Sequence, residues 1–397
     1  MPQRSMAGCG ATTSIGEPAT GSSHRVPEAT RPIVSKHKPT SFDIAYRAGV
    51  SQATVSRALR GSSLVSGETR RKVEAIAKEL NYKVDKNASN LRRQHSSTLA
   101  LLLFEDPTSD DSLINPFFLS MLGSITHACA RQGYDLLISF QQLSDDWHAD
   151  YQDSHKADGL ILLGYGDYLE SRCKLEKLVE QGTHLVRWGA VVEGQPDVSV
   201  GCDNVQGGDA ITAHLLGLGR RRIAFLGDIS EHCPEFSDRY QGHCAALRAA
   251  GIRVDPALQV DAMHSTEHMG HEALQVLLAR GVDFDAVFAA SDLIALGAMR
   301  ALAEAGLRVP EQVAVAGFDD IPMASFANPP LTTVLQDTKR AGERLVENLL
   351  QQLRGEKVGS VMLPAKLVIR RSCGEALQAA APSKPALKVV RRRVAAR

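Results

Sequence analysis

From Thr98 onward, short unbroken apolar runs alternate with stretches of helical pattern. The runs are TLALLLF, YDLLISF, DGLILLG, HLVRWG and RRIAFLG, followed later by FDAVFAA and VAVAGFDD. Between them lie PFFLSMLGSITHACARQG, VQGGDAITAHLLGLG and SDLIALGAMRALAEAG. A strand that is apolar on both faces has no polar side to offer water, so helices must cover both sides of its sheet. Strands alternating with helices predict α/β architecture with parallel sheets, and the number of units predicts two of them. Ligands in such folds bind at the carboxyl ends of the strands, often between domains. Those ends carry Asn115, Arg187, Trp188, Ser291, Asp292, Asp319 and Asp320. So many polar strand ends predict the lining of a cleft.

The region before Thr98 follows a different pattern. In SFDIAYRAGVSQATVSRALRG, Ile44, Ala45 and Ala48 share one side of a first helix, and Val55, Ala58 and Leu59 share one side of a second. Gly49 suits the left-handed end of the first helix, and Ser51 stands where an N-cap belongs. With Val55 and Leu59 inward, the outward face is Gln52, Ala53, Ser56, Arg57 and Arg60. Either a solvated hairpin or a DNA-binding helix-turn-helix fits this spacing. Next comes VSGETRRKVEAIAKELNY, where Ser66 caps a third helix and Val73, Ile76, Ala77 and Leu80 form its apolar stripe.

Charge shifts the balance between those readings. The whole chain of 397 residues is neutral, yet 38–95 holds twelve Lys or Arg against five Asp or Glu, a surplus of seven. A small basic module on an acidic remainder is the footprint of a phosphate-backbone binder. The length implies two to three domains. The seven cysteines are odd in number and lack a C-x-x-C pair, which argues against a disulfide framework or zinc ribbon and for a reducing cytoplasm. No apolar run is long enough to span a bilayer, so no membrane partner is expected. The close glycines of GLGRRRIAFLG precede a strand rather than follow one, so they mark a helix end and not a dinucleotide site. Phosphate loops, nucleophile elbows and H-E-x-x-H helices are missing from the sequence, and the thirteen histidines lack metal-ligand spacing. Catalysis has no positive support, and neither a cofactor nor a metal is expected.

The stretch FDIAYRAGVSQATVSRALRGSSLVSGETRRKVEAIAKELNY resembles the headpiece of LacI/GalR-family bacterial transcription regulators. INPFF, SDRYQGHCAALRAAG and SDLIALGAMRALAEAGLRVPEQVAVAGFDDIPMASFANPPLTTVLQD resemble that family's effector domain, in matching order. The resemblance implies a three-helix helix-turn-helix headpiece joined to a two-subdomain, Rossmann-like effector domain of periplasmic-binding-protein type. It implies that the second helix enters the major groove. There Gln52 and Ala53 choose bases, Arg57 suits a guanine edge, and Ser51, Thr54 and Ser56 position the helix on phosphate. It further implies a hinge helix near 86–92 whose Leu91 wedges into the minor groove, with Ala88 and Arg92 beside it. The partner is then double-stranded DNA with a palindromic operator, bound by a homodimer or by a tetramer built from dimers. In the effector domain the resemblance gives Arg239 and Asp319 to ligand, with Phe117, Phe118, Trp188 and Ser291 as further lining. A guanidinium and a carboxylate suit a hydroxyl-rich sugar. A purine or other small-molecule co-repressor is the alternative.

Three departures stand out. Arg60 replaces the asparagine usual after the recognition helix and adds a candidate phosphate contact. The proline usual after the headpiece tyrosine is missing, with Asp85 close to where phosphate passes. A cleft position near Ser265, often aromatic in sugar-binding members, is not aromatic here. The expected domains are a disordered tail at 1–37, the headpiece at 38–83, a hinge helix or linker at 84–95, a ligand-binding and dimerisation domain at 97–374, and a disordered basic tail at 375–397. The function expected is a ligand-controlled repressor, with sugar-utilisation genes as its target.

Overall fold

The computed structural model describes residues 39–82, 95–103, 114–140, 146–164 and 167–375. The hinge positions Ala88, Leu91 and Arg92 and nearly all of both expected tails lie outside these residues. The chain divides into two compact units between Asp85 and Lys86.

The first unit holds three helices, α1 (Ser41–Ala48), α2 (Gln52–Leu59) and α3 (Gly67–Glu79). Each begins on the hydroxyl that the sequence marks or allows. Thr40 and Asp43 form a reciprocal capping box at α1, Ser51 accepts the Thr54 N–H at α2, and Ser66 accepts the Thr69 N–H at α3. Gly49, at φ 70°, ends α1 in the left-handed region, where any other residue would be strained. Ile44, Ala48, Val55, Ala58, Val65 and Val73 close the small core. Beyond α2, the Arg70 guanidinium donates to the carbonyls of Gly61 and Ser62 and fixes the loop that leads to α3.

The second unit contains two parallel sheets. The first has the order β11-β5-β4-β3-β1-β2, from Val361–Leu363, Val198–Cys202, Leu185–Trp188, Gly159–Leu163, Thr98–Leu103 and Asp135–Phe140. Its helices are α4 (Pro116–Arg131), α5 (Tyr168–Glu180) and α11 (Thr338–Leu353). The second sheet has the order β7-β6-β8-β9, from Gln259–Val260, Ile223–Leu226, Ala286–Ala289 and Ala314–Ala316. It is covered by α6 (Asn204–Gly217), α7 (Pro234–Ala249), α8 (Glu267–Ala279) and α9 (Asp292–Glu304). Every residue of β3, β6 and β8 is buried. The apolar run of β2 is instead an edge strand with Leu137, Ile138 and Phe140 exposed, against the expectation that every such run is covered on both faces. The short α10 (Pro322–Phe326) precedes β10 (Thr333–Leu335), which pairs antiparallel with β12 (Lys366–Val368).

Chain order explains the two-lobed plan. The chain leaves the first sheet after β5, builds the second, returns through α11 and β11, and crosses once more at β12. The carboxyl ends of both sheets therefore meet at one junction. Two glycines set the geometry there. A Cβ on Gly208 would collide with the Arg239 carbonyl, and one on Gly242 with the Val205 carbonyl. The backbones of α6 and α7 thus touch, and this contact presents Arg239 to the junction.

Among the groups buried behind that contact, His243 lies 2.9 Å from the Thr212 hydroxyl, and burial lowers its pKa to about 3. The unfolded chain binds that proton near pH 6.5, so the stabilising effect of the neutral ring is complete above pH 6.5 and is lost as pH falls. Between pH 6.5 and 5 the wild type is expected to lose about 2 kcal/mol more stability than His243→Gln. Urea unfolding of both proteins at the two pH values checks this; equal losses would show that other groups set the acid sensitivity.

Candidate functional site

Two places concentrate chemistry, and each lies within one unit. In the first unit, the outward face of α2 is the face expected from spacing. Ala53, Arg57 and Arg60 are exposed and Gln52, Thr54 and Ser56 half-buried, while Val55 and Ala58 point inward. The Ser51 and Thr54 hydroxyls lie 2.9 Å apart, so both hold the helix start. Gln52 donates to the Ser41 hydroxyl at 3.2 Å, which tethers its amide toward α1. The Arg60 Nε donates to the Ser56 carbonyl, so this arginine also closes the end of its own helix.

In the second unit the strand ends assemble a polar cluster around Arg239, which is fully buried. Its Nε donates to Asn204 Oδ1 at 2.9 Å, its Nη1 donates to the Ala290 carbonyl, and Asp319 Oδ1 lies 3.7 Å from Nη1. The guanidinium carbon sits 3.9 Å from the centre of the Phe318 ring, a cation–π contact in a desolvated place. Gln336 donates to Asp319 Oδ1 at 2.6 Å. Asp319 and Asp320 have φ 118° and 53°, consecutive non-glycine residues in the left-handed region. Such strain, of order 1–3 kcal/mol each, collects where a site needs a particular backbone. It aims the Asp319 carboxylate at Arg239, while Asp320 turns to Arg370 at 2.6 Å.

The neighbouring positions separate into distinct roles. Ser291 is the N-cap of α9, accepting the Ile294 N–H, and it also accepts a hydrogen bond from Ser265 at 2.7 Å. Asp292 is not that cap. Its carboxylate accepts from the Ile321 N–H and the Thr333 hydroxyl, and burial, reinforced by nearby Asp319, pushes its pKa well above the usual carboxylate range. Phe117 and Trp188 are buried with ring centroids 5.9 Å apart and planes 52° from parallel, and Phe118 packs edge-on against Phe117. Arg187 pairs with Asp197 at 3.0 Å, out of water. Trp188 ends β4, and Ser291 and Asp319 lie just beyond β8 and β9, whereas Arg239 projects from within α7 and Phe117 and Phe118 stand in the first turn of α4. Sequence reasoning missed Asn204 and Gln336. Gln336 follows β10 directly, and Asn204 lies just beyond β5 as Ser291 lies just beyond β8.

Comparison with known proteins agrees with both units. Residues 42–85 match the model of bacterial regulatory proteins, lacI family, and 212–373 match a periplasmic binding protein-like domain. The HTH-type transcriptional regulator CelR of Thermobifida fusca is 33% identical over 344 residues, covering 85% of this chain and 99% of that protein. The chain belongs to the lacI family of bacterial regulatory proteins. LacI-family relatives also include the transcriptional repressor CytR of Escherichia coli K12, 33% identical over 84% of this chain and 96% of its own, and the ribose operon repressor of the same strain, 30% identical over 79% and 93%. These relatives are regulators, not enzymes.

Two solved LacI-family structures match the fold. The lac repressor dimer bound to operator and the anti-inducer ONPF superposes with a TM-score of 0.73 at 27% identity, over 85% of this chain and 99% of that one. A complex of CelR with cellobiose superposes at 0.62 with 33% identity, over 84% and 99%. Among the described residues no helix is long and apolar enough to cross a membrane, and no group of three His, Cys, Asp or Glu is placed to hold a metal.

Proposed function

We propose that this LacI-family protein is a cytoplasmic, sequence-specific repressor of carbohydrate-utilisation genes, released from its operator by a small sugar held between the two lobes. The buried Arg239–Asp319–Gln336–Asn204 cluster carries the sugar reading. Its groups are donors and acceptors in alternation, which is what vicinal hydroxyls require, since each hydroxyl both gives and accepts a hydrogen bond. The aromatic pair supports the same reading over a purine. Phe117 and Trp188 are tilted and packed together, with no parallel slot for a flat base. Relatives named for cellobiose and ribose point the same way.

For DNA, Gln52, Ala53 and Arg57 read bases from the exposed face of α2, and Ser51, Thr54, Ser56 and Arg60 seat the helix. Ala88, Leu91 and Arg92, which lie outside the described residues, contact the minor groove. The protein acts as a homodimer on an inverted repeat. Selection of host genomic fragments by the full-length protein tests this directly. Inverted repeats beside sugar-uptake or sugar-breakdown genes are expected, and enrichment of sites without two-fold symmetry would refute the dimeric reading.

Dimer formation needs an apolar surface, and Phe326 at the end of α10 is 87% exposed. We place Phe326 in the contact between the two copies, where its ring would be taken out of water. Phe326→Asp is expected to shift sedimentation from dimer to monomer and to weaken operator binding at least tenfold. A variant that stays dimeric would move the interface elsewhere.

A further inference from the structure

A run of three side chains crosses the junction of the two lobes. Asn115, the N-cap of α4, accepts the Phe117 N–H on Oδ1 at 3.0 Å and donates from Nδ2 to the Ser265 hydroxyl at 3.3 Å. Ser265 donates onward to Ser291 at 2.7 Å, and Ser291 caps α9. One short hydroxyl thus joins the start of α4 in the first lobe to the start of α9 in the second. Separate contacts join the lobes elsewhere. The Tyr168 N–H donates to the His232 carbonyl at 3.0 Å, His232 Nδ1 lies 2.6 Å from Asp167, and the Ala190 N–H donates to Glu235 at 2.9 Å. With these bridges made, Phe117, Trp188, Arg239, Asp319, Gln336 and Ser265 are each 3% exposed or less.

This arrangement limits what the cleft accepts. A ligand enclosed behind the bridges must be engulfed whole, and no ligand atom fits between Asn115 and Ser265 while their hydrogen bond stands. The polar cluster around Arg239 supplies partners for the hydroxyls of one ring. A second ring would have to leave across the junction, where the bridge lies. Ser265 offers it no stacking face, only a hydroxyl already committed on both sides.

We infer that the cleft selects a single-ring sugar over a disaccharide, and that the Asn115–Ser265–Ser291 bridge determines this choice. The inference rests on the sugar reading above and adds the size class of the effector. Removing the Ser265 hydroxyl opens the bridge without adding bulk, so it relaxes the size limit. It costs one hydrogen bond to each neighbour and leaves the Arg239 cluster intact.

Calorimetric titration of the full-length protein tests this. The probes are D-glucose, D-galactose, D-mannose, D-fructose, D-ribose, D-xylose and L-arabinose, against cellobiose, lactose, maltose and sucrose. At least one monosaccharide is expected to bind tenfold or more tightly than every disaccharide tested. Ser265→Ala, with an unchanged circular dichroism spectrum, is expected to narrow that margin at least threefold; Asn115→Ala serves if the first variant does not fold. A disaccharide that binds as tightly as the best monosaccharide overturns the size inference and leaves the sugar reading standing. An unchanged margin in the folded variants overturns the role of the bridge. No binding by any sugar overturns the sugar reading itself.

Discussion

Replacing Arg57 with alanine is expected to weaken binding to the selected operator by roughly 5- to 150-fold, because one bidentate arginine–guanine contact is worth about 1–3 kcal/mol of discrimination. The fold should survive, since Arg57 is exposed on the face of α2 opposite Val55 and Ala58. Binding to a scrambled duplex should change little, and its salt dependence should flatten by at most about one ion. Fluorescence anisotropy on the two duplexes at equal salt separates the possible roles. Equal losses on both would make Arg57 a phosphate contact and leave base choice to Gln52 and Ala53.

Replacing Arg239 with alanine should produce the opposite phenotype, a protein that holds its operator at every sugar concentration. The headpiece is untouched, so DNA binding remains, while the group that donates to the effector is gone. Stability should also fall by about 3–5 kcal/mol, the typical consequence of stranding one member of a buried ion pair. Asp319 and Asn204 would lose the cation they face. Arg239→Lys distinguishes the two effects. Lysine restores a charge but not the planar fork, so it should recover part of the stability and little of the sugar response. Full release of the alanine variant by sugar would remove Arg239 from the binding site.

How much of this was legible in the sequence depends on the range of the interaction. Helix starts at Ser51 and Ser66 were readable because an N-cap is settled within three residues. The buried parallel strands were readable because their environment leaves no polar side. Gln336 and Asn204 were harder. β10 is only three residues long and pairs antiparallel with β12, so VLQD does not stand out as a strand end. Adjacent candidates were ambiguous for a similar reason. Ser291 and Asp292 both suit a cap, and only folding shows that Asp292 serves Ile321 and Thr333 instead. The bridge from Asn115 to Ser265 spans 150 residues and has no local signature at all. Sequence marked Ser265 only by the aromatic ring it lacks.

The most direct measurement is operator affinity of the full-length protein with and without the monosaccharide that binds best, at fixed salt and protein concentration. Control by the cleft predicts at least a tenfold rise in Kd on adding that sugar to the wild type, and no rise in Arg239→Ala. An operator affinity that ignores a sugar shown by calorimetry to bind would contradict it, because a ligand that does not distinguish two states cannot shift them.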